Sequence, residues 1–541
     1  MRNVSVSSSI TRTDKILFAV CTLLLLFSAY LQFDLGNLGD KDWLLYVARM
    51  WLGGKKLYVD LFEPELPLIT WIYVIPVYLS IYLGFFKDYQ YLVILGFFLI
   101  AFILFISLKL INFHPEFANN KRKKIEFALL FLFVFIYFTN SAYFFDREHI
   151  FLVLVFPYLL RWLPSIMNAP IPRYLKIIMG IMAGIGFCIK PHCAIVFVGI
   201  QLIVLIRERS GAILLSIENS IIYLIGSAYI AAIWVFTPEY ILVVLPMELV
   251  TYSAANRKIG GLTYFSITLF TFGVTFADFR LRYTSPYRKD IFYLAFVCLS
   301  FLGYALLNNG WGYSWNPLAS IVFMITGFVL WEAIYLKKHY QAQGLPFQNF
   351  VLGARACAIN LVVNAIIILG LWAYIIPSSC GHYYLECDKG KVFLNQITEA
   401  NGGQKIKSFG SISIDFEIWT ELVRATGSSW ETRFNCLWML PKFFLSDENF
   451  VKKNKWILEY ISHALAEDMR KNKPEIMFVD NTDNFYTFHE YVDLVAYLNK
   501  FPEFKKEFTH YRYVEKISPC KPEKNTQPKE HCGYFIYKRI D

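Results

Sequence analysis

The sequence carries little charge for its length, and it lacks the short motifs that mark common zinc and nucleotide sites. Charged residues make up 17% of its 541 residues, against about 25% in a typical soluble domain. It contains no Cys-x-x-Cys pair, no His-Glu-x-x-His motif, no P-loop and no internal repeat. These absences argue against a structural zinc site and against a P-loop nucleotide-binding protein.

Long hydrophobic runs dominate instead. Hydrophobic residues make up 56% of the chain, and runs near the ~20 residues that span a bilayer recur from Ile16 to Ile376. The first run, Lys15 to Phe33, is long for a signal peptide and has no small-residue cleavage site after it, so we expect a retained helix. The sequence predicts an α-helical polytopic membrane protein. Its net charge of +10 is expected to set orientation and not to bind nucleic acid.

Basic clusters alternate with acidic and polar loops along the hydrophobic region. By the positive-inside rule, the cytoplasmic clusters are Arg2/Arg12/Lys15, Lys121–Lys124, Arg161/Arg173/Lys176, Arg207/Arg209, Arg280–Lys289 and Lys337–Lys338. The extracytoplasmic loops are then residues 34–66, 146–149, 190–192, 237–262 and 308–316. This alternation requires that only one of the apolar runs 68–86 and 91–111 crosses. We therefore expect residues 67–86 to form an interfacial or re-entrant helix, kinked at Pro76, and about eleven crossings in all.

Residues 377–541 form a polar tail, which at roughly 165 residues is long enough to have its own core. We predict a C-terminal α/β extracytoplasmic domain, following a transmembrane domain of residues 1–376. Glu475–Asp480 is typical of a buried strand ending in an acid, and Lys455–Met469 of an amphipathic helix. The cysteine pairs that an oxidising compartment would allow to bond are Cys380/Cys387 and Cys520/Cys532.

Four polar groups are expected on the extracytoplasmic face. They are Asp40/Asp42 with Glu63, Asp146–His149, Lys190–His192, and the aromatic hairpin 308–317 that contains Tyr313. Carboxylates beside Arg, Lys and His side chains suit one chemical task. The cations bind an anionic leaving group such as phosphate, and a carboxylate takes the proton of an incoming hydroxyl or amine.

Each of these groups also has a purely structural interpretation. Asp40 and Asp42 can be helix-capping acids in a solvated loop. Arg147 and Glu148 can form an internal ion pair, and Lys190 can extend to the membrane interface. The aromatic residues of the hairpin can belong to an interfacial belt. The shared face, which the charge pattern fixes independently, is what favours the chemical interpretation.

The first loop resembles that of GT-C glycosyltransferases, in the bacterial branch related to protein mannosyltransferases and aminoarabinose transferases. The residues that carry the resemblance are Asp40, Trp43, Tyr46, Gly54, Leu57–Asp60, Glu63 and Pro67–Leu68. Arg147–His149 resembles the second acidic motif of that branch, and Lys190–His192 another recurring element. The chain departs from the pattern at Pro67, which stands alone where relatives carry a pair, and at Ser314, where a His is expected.

The resemblance implies a donor sugar linked to a polyprenyl phosphate in the cytoplasmic (inner) membrane, an envelope acceptor, and inversion of the anomeric centre. It implies that Asp40 is the general base, assisted or replaced by Asp42, and that Glu148 and His149 position the acceptor or a divalent metal ion. The residues expected to bind the donor phosphate are Arg147, Lys190, His192, Arg257 and Lys258. Glu63 and Tyr313 are further candidates for substrate binding.

A transporter or lipid flippase is the main alternative from another functional class. Transporters place ionisable residues near the bilayer midplane, whereas most segments here are apolar at their centres and the acids cluster at one interface. Lys190–Pro191 is the one feature that favours transport. An inactive scaffold whose tail binds a partner also stays open.

Overall fold

The computed structural model describes residues 12–34, 40–137, 139, 143–252, 288–307, 312–325, 388–414, 417–481, 491–517 and 533–541. Several predictions fall outside these stretches. They concern Arg257 and Lys258, the domain boundary at 376/377, and the paired tail cysteines Cys380/Cys387 and Cys520/Cys532. Tyr313 lies in a described 3₁₀ turn, Gly312–Trp315, but its side chain is not among those described.

Helices dominate the described residues up to 325. In chain order they are α1 (Arg12–Asp34), α2 (Asp40–Leu52), α3 (Pro67–Leu83), α4 (Asp88–Ile111), α5 (Lys121–Leu132), α6 (Arg147–Arg161), α7 (Arg173–Phe187), α8 (Ala194–Glu208), α9 (Ile217–Phe236), α10 (Leu245–Thr251), α11 (Arg288–Leu307) and α12 (Asn316–Ile325). Further short turns are 3₁₀ at Pro191–Cys193 and Gly211–Leu215, and π-helical at Phe133–Tyr137 and Tyr240–Val244.

Four of the described helices are long and apolar enough to cross a membrane. They are Asp88–Ile111, Pro191–Glu208, Ile217–Phe236 and Lys289–Leu307. The prediction of a multi-pass membrane protein is therefore confirmed, while the total of about eleven crossings stays a prediction. The segment expected to lie at the interface forms α3, a 17-residue apolar helix with Pro76 inside it.

The tail folds into short helices around a sheet. Its elements in chain order are α13 (Asp388–Ala400), β1 (Ser408–Ile412), α14 (Glu417–Thr426), β2 (Ser429–Trp430), α15 (Leu440–Phe444), α16 (Glu448–Lys453), α17 (Lys455–Asn472), β3 (Ile476–Asp480), α18 (Leu494–Leu498), α19 (Pro502–Phe508), β4 (Tyr511–Ile517) and β5 (Tyr534–Arg539). The strand and the helix predicted from sequence are confirmed as β3, which is buried throughout, and α17.

The chain divides into two compact units. The first comprises Met1–Gly36, Gly84–Ala231 and Lys258–Tyr374, and the second comprises Asn37–Leu83, Ala232–Arg257 and Ile375–Asp541. The first loop, with α2 and α3, thus belongs to the same unit as the C-terminal sheet.

In the first unit several helices pack closely, in part through glycine. α6 packs against α4 and α7, and α8 packs against α11. A Cβ on Gly180 of α7 would lie 2.9 Å from the backbone oxygen of Glu218 in α9, so α7 and α9 approach there through backbone. Such small-residue contacts are the usual means of close packing between helices in a membrane.

In the second unit a five-stranded sheet has the order β2-β1-β3-β5-β4. β2, β1 and β3 are parallel, and β5 runs antiparallel to both β3 and β4. The first loop packs on this domain, because α2 contacts both α3 and α14. A backbone hydrogen bond from Phe62 N–H to Arg433 O, at 2.8 Å, joins the loop to the segment after β2. The sheet domain therefore fixes the position of α2, which begins at Asp40.

Candidate functional site

In the first unit, the start of α6 carries a buried cluster of ionisable side chains. The Asp146 carboxylate caps the helix by accepting from the backbone N–H of Arg147 at 2.7 Å. Glu148 Oε1 accepts from Lys190 Nζ at 2.8 Å and from the Tyr304 hydroxyl at 3.2 Å. The side chains of Glu148 and Lys190 are 1% and 3% exposed. Helix α6, the turn before α8, and α11 thus converge on one carboxylate.

Lys190 therefore forms an ion pair inside the protein. It is the residue before the 3₁₀ turn Pro191–Cys193, where Pro191 ends the continuity between α7 and α8. The interpretation of Lys190 as a side chain that extends to the membrane interface is wrong, because its ammonium is buried against Glu148. His192 lies in the same turn and is partly exposed.

Arg147 and His149 flank Glu148 and are also buried. Arg147 Nε lies 3.6 Å from Asp146 Oδ1. His149 Nδ1 accepts a hydrogen bond from the backbone N–H of Phe145 at 2.8 Å. A neutral imidazole that accepts at Nδ1 carries its proton on Nε2, so His149 offers a hydrogen-bond donor. Phe145 has a φ of 56°, a left-handed conformation that bulky residues adopt only when the surroundings enforce it.

In the second unit, Asp40 and Asp42 lie in the first turn of α2, with Asp40 its first residue. Asp42 is buried, and its two carboxylate oxygens accept from Arg424 of α14 at 3.4 Å and 3.2 Å. The helix-capping interpretation agrees with where both acids stand, since carboxylates at a helix N-terminus are favourable. An ion pair with Arg424 thus holds Asp42 against the sheet domain.

The Glu63 carboxylate has hydrogen-bond partners within the first loop. It is buried, its Oε2 accepts from the indole N–H of Trp43, and its Oε1 accepts from the backbone N–H of Glu65 at 2.9 Å. Both oxygens are thus used within the first loop.

Aromatic rings pack together at the first half of α2. Trp43 stacks on Tyr46 at a centroid distance of 5.6 Å, and Trp430 lies edge-on to Trp43 at 5.3 Å. The Tyr46 hydroxyl donates to the backbone oxygen of Trp430 at 3.2 Å. Burial, with the Glu431 carboxylate as the smaller cause, raises the pKa of Tyr46 above its ordinary value. Tyr46 therefore acts as a neutral hydrogen-bond donor.

The structure thus brings Glu148 and Lys190 together, and it holds Asp42 and Glu63 each in its own contacts. The joint site predicted from sequence draws Asp40, Asp42 and Glu63 from one unit and Arg147, Glu148, His149, Lys190 and His192 from the other, and it stays a prediction. Within the described residues no three His, Cys, Asp or Glu side chains group as a metal site.

Sequence reasoning missed Tyr304, Arg424 and Trp430. Tyr304 lies in the apolar helix α11 and Arg424 in the amphipathic helix α14. Neither stands in a short motif, and Arg424 is 382 residues from its partner. Only the packing of helices shows these contacts.

Comparison with solved structures shows what this fold is like. The crystal structure of ArnT from Cupriavidus metallidurans bound to undecaprenyl phosphate matches with a TM-score of 0.52 at 10% identity, covering 98% of this chain and 99% of that one. The apo state of that protein matches with a TM-score of 0.51 at 10% identity, covering 97% and 98%. No protein-family model and no curated protein matches the sequence. The structural matches confirm the predicted architecture: the chain has a GT-C-like fold.

Proposed function

We propose that this protein is a membrane glycosyltransferase that moves a sugar from a polyprenyl-phosphate donor to an extracytoplasmic acceptor with inversion. The observation that carries the proposal is the shared fold: nearly the whole chain matches ArnT, a protein whose crystal structure holds undecaprenyl phosphate. The buried charged cluster at the start of α6 supports it, since buried ionisable groups are costly and clusters of them are candidates for functional sites.

The donor phosphate is assigned to Arg147, Lys190 and His192, joined by Arg257 and Lys258. An ammonium has three N–H donors, so the Lys190 contact with Glu148 Oε1 is compatible with a phosphate oxygen as a further acceptor. Glu148 fixes the direction of the ammonium, because Lys190 reaches it from the turn before α8. A phosphate held in this way leaves as polyprenyl phosphate when the sugar bond breaks.

The acceptor is assigned to Asp40. A carboxylate there takes the proton of the acceptor hydroxyl or amine while the acceptor oxygen or nitrogen attacks the anomeric carbon from the face opposite the phosphate. The stereochemistry inverts because one displacement occurs. His149 can donate from Nε2 to an acceptor oxygen, which suits a positioning role. The same protonated Nε2, when the ring is neutral, does not ligate a metal ion.

Orientation completes the proposal. The N-terminus and Lys121–Lys124 are assigned to the cytoplasm by the positive-inside rule. Residues 146–149, 190–192 and the C-terminal domain are assigned to the outside of the cytoplasmic membrane, where a lipid-linked sugar meets envelope acceptors. A lipid flippase of the same fold is the alternative function, because moving a polyprenyl phosphate would also need a phosphate-binding cluster.

The experiment that separates the two functions follows the lipid product. Envelope extracts from cells that lack the protein supply both the sugar-linked polyprenyl lipids and the acceptor, and these extracts are incubated with purified protein in detergent. Mass spectrometry then measures free polyprenyl phosphate. Wild-type protein is expected to release it together with a glycosylated acceptor, and Asp40→Asn is expected to release it about 10²–10⁴-fold more slowly. A flippase leaves the lipid composition unchanged, so the absence of release by the wild type would reject the transferase.

A further inference from the structure

Asp42 and Arg424 form a two-point ion pair between the first loop and the sheet domain, inside the second unit. Arg424 Nη1 lies 3.4 Å from Asp42 Oδ1, and Nη2 lies 3.2 Å from Oδ2. The Asp42 side chain is 5% exposed and the Arg424 side chain 29%. A guanidinium that meets a carboxylate at both oxygens fixes direction as well as distance. The pair therefore restrains the rotation of α2, which a single contact would not.

Further contacts hold the same part of α2. The Tyr46 hydroxyl donates to Trp430 O, and the Trp43 ring packs against Trp430. The Trp43 indole N–H donates to Glu63, so the helix is also bound to its own loop. Residues 42, 43 and 46 thus contact the sheet domain or the loop that rests on it.

Asp40 and Asp42 are not equivalent in this arrangement. Residues two apart in a helix point about 200° away from each other and do not share a face. While Asp42 is held by Arg424, Asp40 occupies the first position of α2 and points to a different side of the helix. Asp40 cannot take over the Arg424 contact unless α2 turns.

We propose that Asp42 and Arg424 are positioning residues: their ion pair holds α2 in the orientation that presents Asp40 to the acceptor. The catalytic purpose of the pair rests on the proposed function, whereas the restraint on α2 does not. The C-terminal domain then has a defined task, which is to set the direction of the first-loop carboxylate. Asp42 is removed from the set of interchangeable general bases.

The test measures the restraint and the reaction separately, in the full-length protein. Hydrogen–deuterium exchange of the α2 amides 45–52 reports the restraint without any substrate. Asp42→Asn and Arg424→Gln are each expected to accelerate this exchange roughly 3- to 30-fold, and the double variant no further, because contacting residues couple. Arg424→Lys is expected to give an exchange rate between those of the wild type and Arg424→Gln, since an ammonium cannot contact both carboxylate oxygens as a guanidinium does.

A matched control removes an ion pair elsewhere in the same domain. Lys455 and Glu459 form an exposed pair on α17, and Lys455→Ala is expected to leave both α2 exchange and sugar transfer unchanged. In the lipid-release assay, Arg424→Gln is expected to lower the turnover number while titration with undecaprenyl phosphate gives the wild-type affinity. A positioning role predicts a lower turnover number with unchanged affinity, whereas unfolding of the protein would lower both.

The outcomes distinguish the two proposals. Unchanged exchange of α2 in Arg424→Gln overturns the restraint, whatever happens to transfer. Faster exchange with wild-type turnover overturns the positioning role. If the variants show the expected exchange while the wild-type protein transfers no sugar, the restraint on α2 stands and the proposed function has failed.

Discussion

Buried charged residues in this protein form ion pairs with residues that lie far away in sequence. Lys190 meets Glu148 across 42 residues and Asp42 meets Arg424 across 382. The sequence predicts that Lys190 and Glu148 lie on one membrane face, because loop charges and hydrophobic runs fix the topology. It does not predict that they form an ion pair, because the pair depends on how α6 packs against the turn before α8. No local sequence pattern determines that packing.

Asp40 is expected to be essential for transfer and dispensable for folding. Asp40→Asn should lower the rate by about 10²–10⁴-fold, as the loss of a general base does, while Asp42→Asn should have a milder effect. Lipid release by the purified variants measures both. Asp88→Asn is the matched control, because Asp88 stands in the first turn of α4 as Asp40 does in α2. If Asp40→Asn behaves like Asp88→Asn, Asp40 only stabilises its helix.

Lys190 is expected to have two separable roles. Lys190→Met leaves the Glu148 carboxylate buried without its cation, which typically costs about 3–5 kcal/mol of stability. The double variant Glu148→Gln/Lys190→Met should recover much of this, because no buried charge remains. Thermal unfolding in detergent measures the difference between the two variants.

The stable double variant then reports the donor contact. A lost charge-assisted contact of about 1.5–3 kcal/mol should weaken binding of undecaprenyl phosphate by roughly 10- to 150-fold. Lys121→Ala, which alters an exposed lysine in the predicted cytoplasmic cluster, should bind as the wild type does. Wild-type affinity in the double variant would limit Lys190 to its pairing with Glu148.

Among the helices and strands, the sequence pattern predicts those whose formation depends only on burying an apolar face. A continuous apolar run identifies β3, and a helical period of apolar residues identifies α17, because a buried strand and an amphipathic helix each need only a core to face. The contact of α2 with α14 is beyond such reasoning, since both helices are amphipathic and many partners would bury them equally well. The choice is made by Asp42 with Arg424 and by Trp43 with Trp430.

Glycine at the contact of α7 with α9 gives a prediction about an element. Gly180→Ala places a methyl group 2.9 Å from the backbone oxygen of Glu218 and should force the helices apart, at a cost of about 1–3 kcal/mol. Gly226→Ala on α9 meets open space within 4 Å among the described atoms and should be neutral or slightly stabilising, because alanine favours a helix. Equal melting temperatures for the two variants would contradict the close packing.

At the scale of the whole molecule, composition predicts a polytopic membrane protein, and the first-loop motif predicts the GT-C-like fold that the structural matches confirm. The topology is tested by labelling single cysteines introduced at Lys121 and at Lys452, an exposed position in α16. A membrane-impermeant reagent should label Lys452→Cys from outside intact cells and leave Lys121→Cys unlabelled. Labelling of both positions from the same side would overturn the orientation.

If this protein transfers a sugar in the cell envelope, its product should be found there. Mass spectrometry of envelope glycolipids and glycans compares cells that lack the protein with the same cells supplied with wild-type protein or with Asp40→Asn at equal abundance. One glycosylated species is expected to appear with the wild type and to be missing both without the protein and with Asp40→Asn. The same glycan and glycolipid profile in all three strains would contradict sugar transfer by this protein.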